Sequence, residues 1–293
     1  MTWLIRILCM CAYVVGAPIL GGFMSGADRK LSARMQGRIG PRLTQPFYDL
    51  AKLFHKQTLV VSRYQFMLIV SFLAMVIGTG ALFFGGFDLL LVFFILTTAS
   101  MFFVLAATVT NSPYAELGAQ RELMQMLAYE PMVLLTAVAF YMANGSFAVA
   151  DAFSAEQPAI VQLPGVFIGL VYVLTIKLRK SPFDLSTSHH AHQELVKGVT
   201  TEFSGSVFAL VELSHWYENI FLMGLVALFF VSKAWWSIPL AIGAMLLVWF
   251  FEILIDNTSA RVKWNQMLKS AWIITAILGG GNIFLLELFR IIF

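Results

Sequence analysis

Eight runs of mostly apolar residues divide the chain: about Leu4–Phe23, Phe66–Phe87, Leu89–Val109, Leu123–Ala143, Ile160–Ile176, Phe208–Val231, Ile238–Ile255 and Trp272–Phe293. A bilayer core takes about 20 such residues in a helix. Every backbone N–H and C=O inside it must be satisfied without water, which leaves helices and closed barrels. The runs are bulky and continuous, without the two-residue alternation of a barrel strand. Charged residues make up 12% of the chain, about half the share of a soluble domain. The prediction is an all-α, polytopic membrane protein, a single membrane domain over 1–293 with about eight transmembrane helices, and not a soluble enzyme. The first run is longer than a signal-peptide core and reads as a retained helix.

Basic residues set the orientation. The odd-numbered loops, about 24–65, 110–122, 177–207 and 256–271, hold 16 of the 19 lysines and arginines. The positive-inside rule places these loops in the cytoplasm of a cell inner-membrane protein and both termini outside. The fourth loop carries Asp151 and Glu156 and no base. Long loops on one face suggest a docking surface there. The plainer alternative is that they serve topology and anionic lipid.

Two of these loops carry patterns. In the first, Gly37-Arg38-Ile39-Gly40-Pro41 breaks any helix. After it, Leu43, Phe47, Leu50 and Phe54 fall on one helical stripe, with Asp49, Lys52, His55 and Lys56 off it. Such a helix would lie in the interface with its stripe in lipid, or be covered by a soluble partner. The fifth loop holds His189, His190 and His192. Zinc binding, a hydrogen-bonded docking surface and a proton relay are three readings of this cluster. No metal ligand set follows from the spacing. Cys9 and Cys11 point to nearly opposite sides of one helix. An iron–sulfur cluster needs four thiolates, so the chain is expected to hold none, and the cysteines read as buried small hydrophobes.

Acidic residues interrupt the apolar runs. Glu122 opens the fourth run and Glu130 lies within it, beside Pro131. Glu212, His215 and Glu218 share the sixth at spacings of three, which puts His215 next to both glutamates. Glu252 and Asp256 are four apart, and Glu287 with Arg290 reads as an interfacial ion pair. A charge at the bilayer centre costs about 2.5–3.5 kcal/mol. Several in one small chain are expected to face the bundle interior, where Glu130, Glu212 and Glu218 read either as a charge relay or as structural hydrogen-bonding groups.

Three motif groups carry a resemblance. Arg34-Met-Gln-Gly-Arg-Ile-Gly-Pro41, followed by Gln45-Pro-Phe-Tyr-Asp-Leu-Ala-Lys-Leu-Phe54, resembles the first cytoplasmic loop of the complex I membrane subunit that abuts the quinone site. Glu116, Ala119-Gln-Arg-Glu122 and Tyr129-Glu-Pro131 are similar to its third loop and fourth helix. Ser181-Pro-Phe-Asp-Leu185, Glu194-Leu and Thr201-Glu-Phe-Ser-Gly205 resemble its fifth loop. One stretch departs from that pattern. Ser188-His-His-Ala-His-Gln-Glu194 is longer and richer in histidine. It looks like the corresponding subunit of energy-converting, Ech-type (group 4) [NiFe] hydrogenases.

The resemblance implies an anchor and ion-coupling subunit without a catalytic residue, cofactor or metal of its own. The [NiFe] centre and iron–sulfur clusters would belong to partners: the hydrogenase large and small subunits and an iron–sulfur subunit. An antiporter-like subunit would sit beside the chain in the membrane, and no nucleic acid is expected. Electrons would come from ferredoxin or formate, and protons or sodium would be moved. The relay would comprise Glu122, Glu130, Asp184, Glu194, Glu202, Glu212, His215 and Glu218. The docking surface would comprise Arg34, Arg38, Arg42, Asp49, Lys52, Glu116, Arg121, His189, His190 and His192. A quinone chamber of a complex I-type enzyme and a passive scaffold are the alternatives.

Overall fold

A computed structural model describes residues 3–59, 62–180, 182–184, 186–187 and 197–292. Each apolar run is helical in it. The elements are α1 (Trp3–Met35), α2 (Gln45–His55), α3 (Arg63–Phe84), α4 (Leu89–Thr108), α5 (Pro113–Asn144), a single turn α6 (Val149–Ala152), α7 (Pro164–Lys177), α8 (Gly205–Leu228), α9 (Ser237–Thr258), α10 (Trp264–Ile274) and α11 (Gly281–Ile292). The last two are joined without a break by a π-helical turn, Thr275–Gly280. Six of these segments, counting α10 to α11 as one, are long and apolar enough to cross a membrane. The other two runs are α8, which carries Glu212 and Glu218, and the shorter α7. The chain is an all-α, multi-pass membrane protein.

Local chemistry sets the helix ends. Asp88 caps α4, its carboxylate accepting from the amides of Leu90 at 2.8 Å and Leu91 at 3.2 Å. Gly145, at φ +73°, closes α5. Ahead of α7, Pro164 disfavours helical backbone at Leu163, which sits at φ −120° and ψ 42°. The expected run Ile160–Ile176 is therefore divided into a 3₁₀ turn, Ala159–Val161, and α7.

Among the described residues, the backbone hydrogen bonds between loops join loops of one parity. Between the even loops, Leu89 N–H donates to Phe147 O at 2.9 Å and Lys233 N–H to Ala155 O at 2.9 Å. Between the odd loops, Asp184 N–H donates to Val262 O at 3.1 Å, and Leu59 N–H to Ser204 Oγ at 3.0 Å. Crossing count and loop contacts agree on two opposite faces.

The structure corrects several expectations. Helix α1 runs twelve residues past the expected end at Phe23, straight through the turn-prone pair Ser25-Gly26, and stops only ahead of Gly37, at φ +72°. Arg29, Lys30 and Arg34 are therefore helical. The expected third loop is mostly helix, since Pro113 starts α5. Glu122 consequently lies well inside a helix and does not open one. The stripe on α2 is covered only in part: Phe47 packs on Phe23 of α1 at 5.3 Å between ring centroids and on Trp216 of α8 at 5.3 Å, whereas Leu43 and Phe54 stay exposed on the chain's own surface. Gly22 leaves room for the Phe47 ring, since a Cβ there would collide with it. Cys9 is half-buried and Cys11 exposed on the chain's own surface, so neither is a core residue. Glu287 and Arg290 are both exposed, and their pair is not among the ion pairs of the described residues.

Candidate functional site: a row of ion pairs beneath the fifth loop

The end of α7 organises the site. Leu178 follows the helix, and Arg179 turns left-handed at φ +57°. Arg179 N–H donates to Ile176 O at 3.1 Å and Lys180 N–H to Thr175 O at 2.9 Å, the paired bonds of a Schellman ending. A non-glycine residue in this region costs about 1–2 kcal/mol. The turn sends three neighbouring cations in three directions.

Lys177 points into the helices. Its ammonium lies 2.8 Å from Glu218 of α8, 3.0 Å from Tyr129 Oη of α5 and 3.3 Å from Ser100 Oγ of α4. An ammonium has three N–H donors, and each has an acceptor here. Glu218 also faces His215 Nδ1 at 3.4 Å. Arg179 reaches Glu122 of α5 at 3.1 Å and Thr187 Oγ1 at 3.0 Å, and its guanidinium lies 5.2 Å from the Phe103 ring centre. Ser186 Oγ donates to the second oxygen of Glu122. Lys180 turns the other way, to Asp28 of α1 at 2.6 Å and Asp256 of α9 at 3.9 Å. Arg121, one residue before Glu122, pairs with Asp184 at 2.8 Å.

Burial makes these pairs consequential. Lys177 and Glu218 side chains are each only 8% exposed. At low effective dielectric a charge pair couples far more strongly than in water, and a lone charge costs several kcal/mol. Gly118 brings the fifth loop down onto this row. A Cβ there would overlap the Gly198–Val199 backbone, so only glycine permits the contact. Beyond Lys177 lies Glu130, next to Thr97, with its carboxyl Oε1 buried and without a hydrogen-bond partner.

A cavity of about 690 Å³ opens between α1, α8, α9 and the fifth loop, with Asp28, Lys177, Lys180, Glu212, His215 and Asp256 in its wall. Beside it, a cleft of about 260 Å³ separates α2 from α8, lined by Arg29, Asp49, Lys52, Glu212 and Trp216 among others. Asp49 is held by Arg29 at 2.8 Å and by the Gln45 amide at 3.0 Å. Partial burial opposes its ionisation, but these hydrogen bonds and the charges of Arg29 and Lys52 prevail and hold its carboxyl below the usual carboxylate range.

The predicted relay is thus brought together in part. Glu122, Asp184, His215 and Glu218 belong to the row, and Glu130 lies beyond Lys177. Glu212 faces the cavity and cleft instead, and His215 pairs with Glu218, not with both glutamates. Glu202 contributes a backbone carbonyl, which accepts from Gln65 at 3.4 Å. Of the docking set, Arg34, Arg38, Arg42, Lys52 and Glu116 are exposed, whereas Asp49 and Arg121 are engaged inside the chain. Glu194, His189, His190 and His192 lie outside the described residues. Lys177, Arg179, Lys180, Tyr129 and Asp28 were not anticipated as site residues.

Comparison with known proteins agrees with this architecture. The chain is 29% identical to an NADH-quinone oxidoreductase subunit of Syntrophotalea carbinolica, over 96% of this chain and 94% of that protein. It is 28% identical to hydrogenase-4 component C of Escherichia coli, over 87% and 88% of the two chains. Among solved structures, a chain of the membrane-bound sulfane sulfur reductase, an archaeal respiratory membrane complex, matches the fold with a TM-score of 0.84. That match covers 96% of this chain and 99% of the other at 22% identity. The sequence model described as NADH dehydrogenase matches residues 7–287. On that match, the chain belongs to the NADH dehydrogenase family.

Proposed function

We propose that the chain is the membrane anchor and ion-coupling subunit of an energy-converting [NiFe] hydrogenase, set in the cytoplasmic membrane with both termini outside. Its partners are the large and small hydrogenase subunits, an iron–sulfur subunit and an antiporter-like membrane subunit. Electrons derived from ferredoxin or formate reduce protons to hydrogen in the docked arm, where the metal centres reside. The chain converts those redox events into proton or sodium movement.

One observation carries this reading: a buried row of acid–base pairs runs from the fifth loop into the apolar helices, through Asp184–Arg121, Glu122–Arg179 and Glu218–Lys177. The pairs have different chemistry. Arginine stays protonated, so Arg121 and Arg179 serve as fixed positive posts. Lysine, histidine and carboxylate can exchange a proton, so Lys177, Glu218, His215 and Glu130 form the working segment, and Glu212, which shares the cavity wall with His215 and Glu218, is its link to the cavity. A charge change in a module docked on the fifth loop alters the field at Asp184 and Glu122 first. Lys177 is next to respond, since it shares Glu218 with His215. The similarity to hydrogenase-4 component C and the histidine-rich segment support the hydrogenase assignment.

The cavity favours a second reading. At about 690 Å³ it falls in the usual range of ligand pockets, about 300–1,000 Å³, and several relatives are named as subunits of NADH-quinone oxidoreductases. A quinone chamber would make the complex sensitive to quinone-site inhibitors.

The relay is tested with Glu130→Gln and Glu212→Gln, singly and together, in the whole complex reconstituted in proteoliposomes. Glutamine keeps the shape but cannot titrate. Assembly and dye-linked hydrogenase activity are expected to persist while ion uptake falls. Normal uptake in all three variants would sink the relay. Loss of assembly would assign these residues a structural role.

A further inference from the structure

A carboxyl in α9 stands apart from this row. Glu252 has no exposed surface, and neither of its carboxyl oxygens has a hydrogen-bond partner. An ionised carboxylate offers about four acceptor sites, and leaving them empty in a buried place costs more than any other arrangement of the group. Two charges act on it directly: Lys180, from the turn after α7, and Asp256, one turn further along α9. From α1, Asp28 holds the other side of Lys180 at 2.6 Å. From α8, which also packs against α9, Glu212, His215 and Glu218 face the cavity that Asp28, Lys180 and Asp256 also line.

Three carboxyl groups from two helices therefore stand around the Lys180 ammonium. Lys180 neutralises one of them, and Asp28 is the nearest. Asp256 borders the cavity and its water. Glu252 alone is sealed from both water and donors, so electroneutrality there calls for a cation on the carboxyl itself. We propose that Glu252 is a proton-binding site, a carboxylic acid that exchanges its proton with the cavity by way of Asp256. When the proton leaves, it passes to Asp256 and then to cavity water, and the negative charge left on Glu252 draws the Lys180 ammonium from α1 toward α9. When the proton returns, Lys180 settles back on Asp28. Use of this site in coupling rests on the relay reading above, whereas its occupation by a proton stands on the geometry alone.

The test is pH-jump infrared difference spectroscopy of the purified whole complex. The native protein is expected to give a protonated-carboxyl C=O band that shifts in D₂O. Glu252→Gln should remove that band and Asp256→Asn should shift it. Identical spectra for native and Glu252→Gln complexes would overturn the proposal. So would absence of the band at every pH together with sodium-dependent thermal stabilisation that Glu252→Gln abolishes, since sodium would then be the bound cation. If Glu252→Gln does not assemble, an unshifted band in Asp256→Asn overturns it as well. The two readings fail separately: normal ion uptake in the Glu130 and Glu212 variants with the Glu252 band present sinks the relay alone. Impaired uptake in those variants with no Glu252 band sinks the proton site alone.

Discussion

The ammonium of Lys177 sits 2.8 Å from the carboxylate of Glu218, with both side chains almost wholly buried between helices. Removing one partner leaves the other charged and unmatched. Lys177→Met is expected to destabilise the complex by about 3–5 kcal/mol. The double change Lys177→Met with Glu218→Gln should recover most of that loss, because no buried charge remains. Thermal denaturation of the solubilised complex through the double-mutant cycle measures the coupling. A cost for Lys177→Met alone of about 0–1 kcal/mol, typical of a surface pair, would mean that water reaches the pair.

Asp49 makes the docking of α2 pH-dependent. Its folded-state carboxyl titrates below the usual range, so the ionised form contributes stability that is complete above that range. The contribution is lost as pH falls through the depressed folded value. Hydrogen exchange in α2 should therefore be slow at neutral pH and accelerate only in acid. In Asp49→Asn, exchange should be faster at neutral pH and lose this acid dependence. An unchanged acid transition in the variant would show that another group holds α2.

Arg38 and Arg42 stand exposed just past the end of α1, and Arg38 also borders the cavity. If this surface receives an acidic partner, reversing both charges with Arg38→Glu and Arg42→Glu releases the peripheral subunits while the membrane subunits stay together. Subunit composition after gentle detergent extraction reads the result. An intact, active complex would assign these arginines to lipid or topology.

The helices were legible in the sequence, because long apolar runs leave few folds open. The amphipathic helix was legible too, but not the packing of Phe47 inside the chain. That was decided by small residues on α1, where Gly22 admits the Phe47 ring. The charged row was half legible. Glu122, Glu130 and Glu218 stood out as acids in apolar sequence. Their partners did not, since helical periodicity identifies neighbours on one helix only. Arg179 meets Glu122 across 57 positions and Lys180 meets Asp28 across 152. The turn that aims these cations was also hidden. It uses arginine where glycine would have advertised a left-handed residue, and only Pro182 marks the helix end. Nor does any sequence pattern mark the contact that Glu202 makes through its backbone carbonyl, which accepts from Gln65.

The fifth loop leaves and returns at nearly the same point. Val199 N–H donates to Ser186 O at 3.2 Å, and Gly198 rests where Gly118 has cleared space on α5. The chain between these feet is closed whatever its length. Doubling such a loop costs only about 0.6 kcal/mol in closure entropy. Evolution can thus lengthen or rewrite the intervening residues, histidines included, while Glu122, Arg179 and Lys177 keep their places beneath. On the function proposed above, partner choice and ion coupling would then be separately adjustable, so that one membrane frame could accept different electron-transfer modules without rebuilding its interior.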